Sequence, residues 1–276
     1  MNYPAVRDFK KAISFILFFC SFACSTTRVY KSSVVTHSDR YTITDTITSL
    51  DDKMIRMPYN RLIDPAGTVI RFGDPNQENH SLDCVLLPGT PVLAVEDRYG
   101  VSFVNIHSNQ FLYHIDYNSS PAFKGLVSTY SGIKAFKEGE TMHVFWAVSK
   151  TSTGRSYVLD AVWDGTTGKI TDPIPFPAVS PSPIAIPNDL AIHSENGENF
   201  LYVVLSGNSQ LAKIRLKDRM PVWTVATGMA PFGITITDEK AYVTNWAGPV
   251  PVEGMGETAG IPFGHVYIDS RTGATA

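Results

Sequence analysis

Cysteine is scarce: three in 276 residues, at Cys20, Cys24 and Cys84. The first two lie in an N-terminal apolar stretch, so only Cys84 remains in the body of the chain, and no disulfide framework is available to it. In the run 82–87 Cys84 reads as a small buried hydrophobe. Basic runs are lacking too. The formal net charge is −3, and without a basic face there is nothing to bind a phosphate backbone, so nucleic acid is excluded as a partner. No apolar run reaches the roughly 20 residues that a spanning helix takes. No stretch keeps a 3.6-residue period between caps for three turns, which predicts little or no helix. A Gly-rich phosphate loop and a G-x-S-x-G elbow are both missing, and the seven histidines show no metal-ligand spacing.

What is there is β-like. Apolar residues make up 43% and charged residues 18%, enough for a sizeable core. Twenty Gly and eighteen Pro, spread along the chain, imply many tight turns between short strands.

The N-terminus reads as an export signal. Arg7, Lys10 and Lys11 form a positive segment before the apolar residues 12–23, which only Ser14 and Ser21 interrupt. The sequence Ser21-Phe22-Ala23-Cys24-Ser25-Thr26 resembles a bacterial lipobox, with Ser21 where Leu is usual. The resemblance implies cleavage before Cys24 and a diacylglyceryl group on its sulfur. An ordinary signal peptide cut near Ala23 is the alternative. The expected organisation is a signal at 1–23, a Ser/Thr-rich tether at 24–57 and a folded body at 58–276. The mature protein is expected to be lipid-anchored in the cell envelope and to face the periplasm. Within the tether, residues 41–48 alternate and predict one strand.

Four segments of the body share one layout. Each opens with small, polar or aromatic residues and an apolar strand, then a turn and a second strand rich in Val, Tyr or Phe. The openings are Asn79-His80-Ser81-Leu82, Tyr130-Ser131-Gly132-Ile133, Pro187-Asn188-Asp189-Leu190 and Pro231-Phe232-Gly233-Ile234. Tyr202 and Tyr242 stand in the second strands of the last two units, at an offset matching the roughly 40–45 residues of a four-stranded propeller blade. Asp164-Gly165, Asn196-Gly197 and Gly207-Asn208 supply turns, and residues 149–156 and 171–187 read as loop insertions. A single four-stranded sheet cannot hide both faces, and stacking such sheets radially does. The expected fold is therefore an all-β propeller. Seven blades need roughly 300 residues, so 58–276 predicts four to five blades of an incomplete ring. A β-sandwich is the alternative.

Gly228-Met-Ala-Pro231-Phe-Gly233-Ile followed by Tyr242-Val243-Thr244-Asn245 resembles the YVTN repeat, within the cytochrome d1-like group of propellers. The likeness is full in this unit, weaker in the other three, and covers 58–276. The segments Met57-Pro-Tyr-Asn-Arg-Leu62, Val95-Glu-Asp-Arg-Tyr-Gly100 and Tyr242-Val-Thr-Asn-Trp-Ala-Gly-Pro249 resemble the propeller half of exported proteins that carry an alkaline-phosphatase-type phosphoesterase domain. That resemblance implies a phosphoesterase half beyond this sequence, which has no nucleophile and metal-ligand cluster of its own.

Propeller ligands bind in the axial funnel, and the repeat openings point there. The candidates are His80, Asp83, Tyr130, Asn188, Asp189 and Phe232. Oxygen ligands such as Asn188, Asp189 and Glu96 would suit Ca²⁺ or Mg²⁺, as a faint resemblance of 187–191 to gluconolactonase-like propellers also implies. Capping of turns by Asn and Asp through their own backbone is the simpler reading. Arg98 is expected to pair with a carboxylate at a turn, and His143 to be a satisfied core residue. Most of Trp146, Trp163, Trp223 and Trp246 are expected between sheets, with one at the rim placed to stack on a ligand. The function these readings support is a non-catalytic binding module for an envelope protein or small ligand. The alternatives are the propeller half of a phosphoesterase, or a metal-dependent hydrolase using the funnel.

Overall fold

Short runs rich in Val, Ile, Tyr and Phe, set between turn residues, fold into antiparallel sheets in which, with one exception at Ile174–Pro175, strands pair with their neighbours in sequence. The computed structural model describes residues 55–56, 62–63, 67–72, 80–171, 173–247, 258–261 and 264–267, with backbone alone at 55–56, 62–63, 118, 258–261 and 264–267. All of them fall in the unit Asp39–Ala276. The signal, Cys24 and the alternating stretch 41–48 lie outside the described residues.

A short pair, β1 (Ile55–Arg56) and β2 (Leu62–Ile63), comes first. Sheet I holds β3 (Ser81–Leu86), β4 (Val92–Asp97), β5 (Gly100–Asn105) and β6 (Gln110–Asp116). Sheet II holds β7 (Val127–Glu138), β8 (Thr141–Lys150), β9 (Arg155–Trp163) and β10 (Gly168–Ile170), and β11 (Ile174–Pro175) also pairs with β9. Sheet III holds β12 (Pro187–Glu195), β13 (Glu198–Leu205), β14 (Gln210–Arg215) and β15 (Met220–Ala226). Two hairpins follow, β16 (Pro231–Thr237) with β17 (Lys240–Asn245), and β18 (Thr258–Ile261) with β19 (Gly264–Tyr267). Among the described residues there is no α-helix, only 3₁₀ turns.

Local chemistry sets the turns. Asn196 (φ 50°) and Gly197 (φ 82°) close β12 onto β13 as a two-residue turn with both central residues left-handed. Asp164 accepts the N–H groups of Thr166 and Thr167 between β9 and β10. Residues 149–156 are not an inserted loop. β8 and β9 run through them and leave only a 3₁₀ turn at Thr151–Thr153.

The first strand of every repeat bulges near its start, between Ser81 and Asp83, Ser128 and Ile133, Pro187 and Leu190, and Pro231 and Ile234. Beyond the bulge Cys84 faces Val95, Ile133 faces Trp146, Leu190 faces Val203 and Ile234 faces Val243. Asp83, Gly132, Asp189 and Gly233 therefore occupy one equivalent position. In the first repeat the equivalent of Gly132-Ile133 is Asp83-Cys84, two residues beyond the opening read from sequence. Tyr202 pairs with Ala191 and Tyr242 with Thr235, the same place in successive repeats.

Among the described residues three of the four buried apolar clusters separate the layers, because the central strands bury both faces. On β13, Leu201, Val203 and Leu205 pack with sheet II residues such as Phe145 and Val158, whereas Phe200, Tyr202 and Val204 pack with Ile234 of β16. On β8, Val144, Trp146 and Val148 turn instead toward Phe103 and Val101 of sheet I. The Phe103 and Trp163 rings stack at 4.1 Å and 7° across the same layer. Strands β3, β7, β12 and β16 lie side by side in that order.

Candidate functional site

The bulges free backbone donors along the neighbouring first strands, and acidic side chains take them up. Asp83 accepts its neighbour Cys84 N–H at 2.8 Å and, across to sheet II, Gly132 N–H at 3.1 Å. Asp189 repeats the device one interface on. It accepts Leu190 N–H at 2.8 Å and, from the last hairpin, Ile234 N–H at 2.9 Å. The Lys134 ammonium reaches the same carboxylate at 3.3 Å. Asn188 donates to the Phe232 carbonyl at 2.8 Å and to Ser131 Oγ at 3.4 Å. Only two of these seven contacts, those of Asp83 and Asp189 with the next N–H of their own strand, are local. The other five, both of Asn188's among them, stitch one first strand to the next. Gly132, at φ 106°, has room for no side chain: a Cβ there would stand 1.8 Å from the Asn188 carbonyl oxygen.

Behind the seam lies a buried polar group. Glu96 is fully enclosed and both its carboxylate oxygens lack a hydrogen-bond partner. Burial, reinforced by the Asp83 charge, pushes its pKa well above the usual carboxylate range. Asp97 accepts Tyr99 N–H at 2.9 Å and lies 3.4 Å from His114 Nδ1. Burial holds the His114 pKa below its ordinary value, despite the Asp97 charge. Tyr117 OH lies 2.6 Å from Ser128 Oγ and accepts the Trp146 indole N–H, so these buried polar tips are satisfied.

At the outer end of the first strands three aromatic rings converge. Phe232 and Trp246 stack at 4.4 Å and 10°. Tyr130, from sheet II, sits 6.5 Å from Phe232 and 6.0 Å from Trp246, tilted against both. Tyr130 is 66% exposed and Trp246 67% exposed. Tyr130 is thrown outward inside the β7 bulge, while Trp246 N–H donates to the Ala230 carbonyl at 3.0 Å just past β17. Tyr130 also walls a cavity of about 260 Å³ together with His80, Leu82, Arg98, Val127 and Ile186.

Of the residues singled out in the sequence, His80 and Tyr130 thus share the cavity, and Tyr130 and Phe232 share the aromatic cluster. Asp83, Asn188 and Asp189 belong to the seam. The carboxylate of Asp189 is taken up by two backbone N–H groups and by Lys134, an arrangement that does not fit a divalent cation. No group of three or more His, Cys, Asp or Glu side chains among the described residues is placed to hold one. Trp146 and Trp163 are core, but Trp223 and Trp246 are exposed. Cys84 is exposed rather than buried, because it points away from the sheet I–sheet II core, toward an apolar groove bordered by Ile70 and Phe72. Burial nonetheless raises its thiol pKa, helped by the Asp83 charge.

Sequence reasoning missed a second polar cluster, between sheets II and III. His143 Nδ1 lies 3.0 Å from Asp160, a fully buried carboxylate that also receives Arg219 at 2.6 Å. The hydrogen bond to Asp160 raises the His143 pKa against the effect of burial. The alternation of β8, which puts His143 and Phe145 on one face, is the signal that pointed there.

No protein-family model matches the chain, and no curated protein does. Among solved structures, a protein of unknown function from Bacteroides caccae is similar at 13% identity and a TM-score of 0.43, over 77% of this chain and 65% of that one. U3-55K is similar at 12% identity and a TM-score of 0.41, over 58% of this chain and 43% of that one. The dihydro-heme d1 dehydrogenase NirN, in complex with DHE, is similar at 11% identity and a TM-score of 0.40, over 65% of this chain and 35% of that one. The chain thus spans less than two thirds of each of these structures, and likeness at this level carries no argument about function.

Proposed function

We propose that the sheets are blades of a β-propeller and that the chain is a binding module of the cell envelope, held there by a lipid on Cys24. The mouth formed by Tyr130, Phe232 and Trp246 is its ligand face. The equivalent bulges, the side-by-side first strands and the double-faced cores support the propeller. One observation carries the binding role: three aromatic rings, one from sheet II and two from the β16–β17 hairpin, meet at one end of the first strands, and two of them are about two-thirds exposed. Large aromatic surface left in water at one spot is what binding surfaces offer and what a fold would otherwise bury. Ser102 Oγ does lie 2.8 Å from His114 Nδ1, but Ser102 and the Asp97 beside them are buried in sheet I, out of a substrate's reach, so the activity proposed is recognition rather than turnover.

Calorimetric titration of the mature protein with 2-naphthalenemethanol, a neutral planar probe, tests the reading. Saturable binding that Tyr130→Ala and Trp246→Ala each weaken about tenfold, the equivalent of ~1.4 kcal/mol, supports it. Binding indifferent to both substitutions removes the mouth as the ligand face.

A further inference from the structure

We infer that the mouth selects an organic anion built on a planar ring, the ring lying on the aromatic cluster and the anionic group turned into the adjoining cavity toward Arg98 and His80. This rests on the mouth being the ligand face and adds the ligand's chemistry.

The cavity and the cluster are one surface, since Tyr130 belongs to both. Leu82, Val127 and Ile186 give the cavity apolar walls, and Arg98 and His80 supply its polar heads. Among the described residues no carboxylate lines it, in a protein whose formal net charge is −3. Arg98 occupies the two-residue turn between β4 and β5, and its carbonyl accepts Ser128 N–H at 3.0 Å, which fixes the turn against sheet II. Its guanidinium carbon stands 5.7 Å from the Tyr99 ring centre. A guanidinium is always charged and has five N–H donors in a planar fork, enough to serve a resident partner and still meet a carboxylate or sulfonate.

Other ligand classes fit less well. A quaternary ammonium needs rings splayed around it within ~6 Å of each, but Phe232 and Trp246 are stacked 4.4 Å apart and leave no space between them. The Arg98 charge opposes a cation as well. A polyol needs free hydroxyl partners. Three of the hydroxyls at this wall are already engaged, Ser128 with Tyr117, Thr129 with the Ala147 carbonyl and Ser149 with Ser156, which leaves a polyol those of Thr151 and Tyr130. A cavity of about 260 Å³ holds a molecule of one or two rings, at the small end of ligand sites.

The experiment compares 2-naphthoate with 2-naphthalenemethanol by calorimetry on the mature protein at neutral pH. The expected result is at least tenfold tighter binding of the anion, weakened by added salt. Arg98→Met should abolish that preference, bringing the anion's affinity down to that of the alcohol, and Arg98→Lys, which keeps a charge, should retain part of it. Equal affinity for the two probes, or an Arg98→Met variant that keeps the preference, overturns the inference. If the alcohol still binds in a Tyr130-dependent way, only the ligand class falls. If neither probe binds the wild-type protein, the mouth reading falls with it.

Discussion

Asp189 on β12 accepts the backbone N–H of Ile234 on β16 at 2.9 Å, a side chain of one sheet serving as the hydrogen-bond partner of the next. Asp189→Ala leaves that N–H and the Lys134 ammonium without their acceptor. A buried donor so orphaned costs ~1–3 kcal/mol. Urea unfolding should show a loss of that size, and a smaller one for Asp189→Asn, which keeps one acceptor oxygen. An Asp189→Ala protein as stable as the parent would mean that the seam holds nothing together.

Gly132→Ala is expected to be among the most damaging single-methyl changes in the chain. Its Cβ would meet backbone, the Asn188 carbonyl at 1.8 Å, at a φ of 106°. Neither can give without displacing β12, so a loss of at least ~3 kcal/mol is expected. Gly139→Ala, at φ 58° with nothing within 4 Å of the added atom, should cost only ~1 kcal/mol. Paired thermal melts check the contrast.

Glu96 should make the fold weaken as pH rises. Its folded pKa lies well above its unfolded value, so the folded state keeps a proton that the unfolded state has already given up. The contribution is whole below ~4.3, the unfolded value, and declines steadily above it until the folded carboxyl itself ionises. Glu96→Gln carries no such proton. The difference in urea midpoint between pH 5 and pH 8 should shrink in this variant, and an unchanged difference would assign the slope elsewhere.

His143 adds a second slope of the same sign by a different route. Its pKa is raised by Asp160, so the pair stabilises fully below the unfolded histidine value of ~6.5 and fades as pH climbs past the folded one. His143→Gln should flatten stability between pH 6 and pH 8. Asp160→Asn should be far worse at every pH, by ~3–5 kcal/mol, because it takes the buried charge from both His143 and Arg219.

Cys24→Ala should abolish incorporation of labelled palmitate and leave an unprocessed precursor on gels. Label that persists in the variant would show that the sulfur of Cys24 is not the anchor.

The strands and turns were legible because their causes are local. Asn196-Gly197 announces a tight hairpin, and the common spacing of Tyr202 and Tyr242 places both at one position of a repeated strand. The two-residue error in the first repeat has a local cause as well: Asp83-Cys84 carries no glycine and no aliphatic residue to mark the bulge that Gly132-Ile133 makes plain. What escaped is whatever depends on the neighbouring sheet. Asn188 and Asp189 read as caps of their own turn, but both lie in strand β12, where Asp189, like Asp83 in β3, gives one oxygen to the next N–H of its own strand and the other to a strand 45 residues away, 49 for Asp83. Cys84 lies in an apolar run, yet its side of β3 is the one turned from the core. Trp246 looked the same as Trp146 in sequence, but Trp146 is enclosed between sheets I and II while Trp246, just past β17, stands two-thirds in water.

The mouth spans two interfaces: Tyr130 rides on β7 and Phe232 on β16, with β12 between them. Its aperture is therefore set from a distance, by the thickness of the material wedged between those strands. Phe200 and Tyr202 face the last hairpin, while Leu201 and Val203 face sheet II. Thinning the first pair would let the hairpin lean inward and close Phe232 and Trp246 onto Tyr130. Bulking up the second would prise them apart. Residues away from the rings thus act as shims, and the spacing of Tyr130, Phe232 and Trp246 can drift through changes in the core while the rings themselves stay the same.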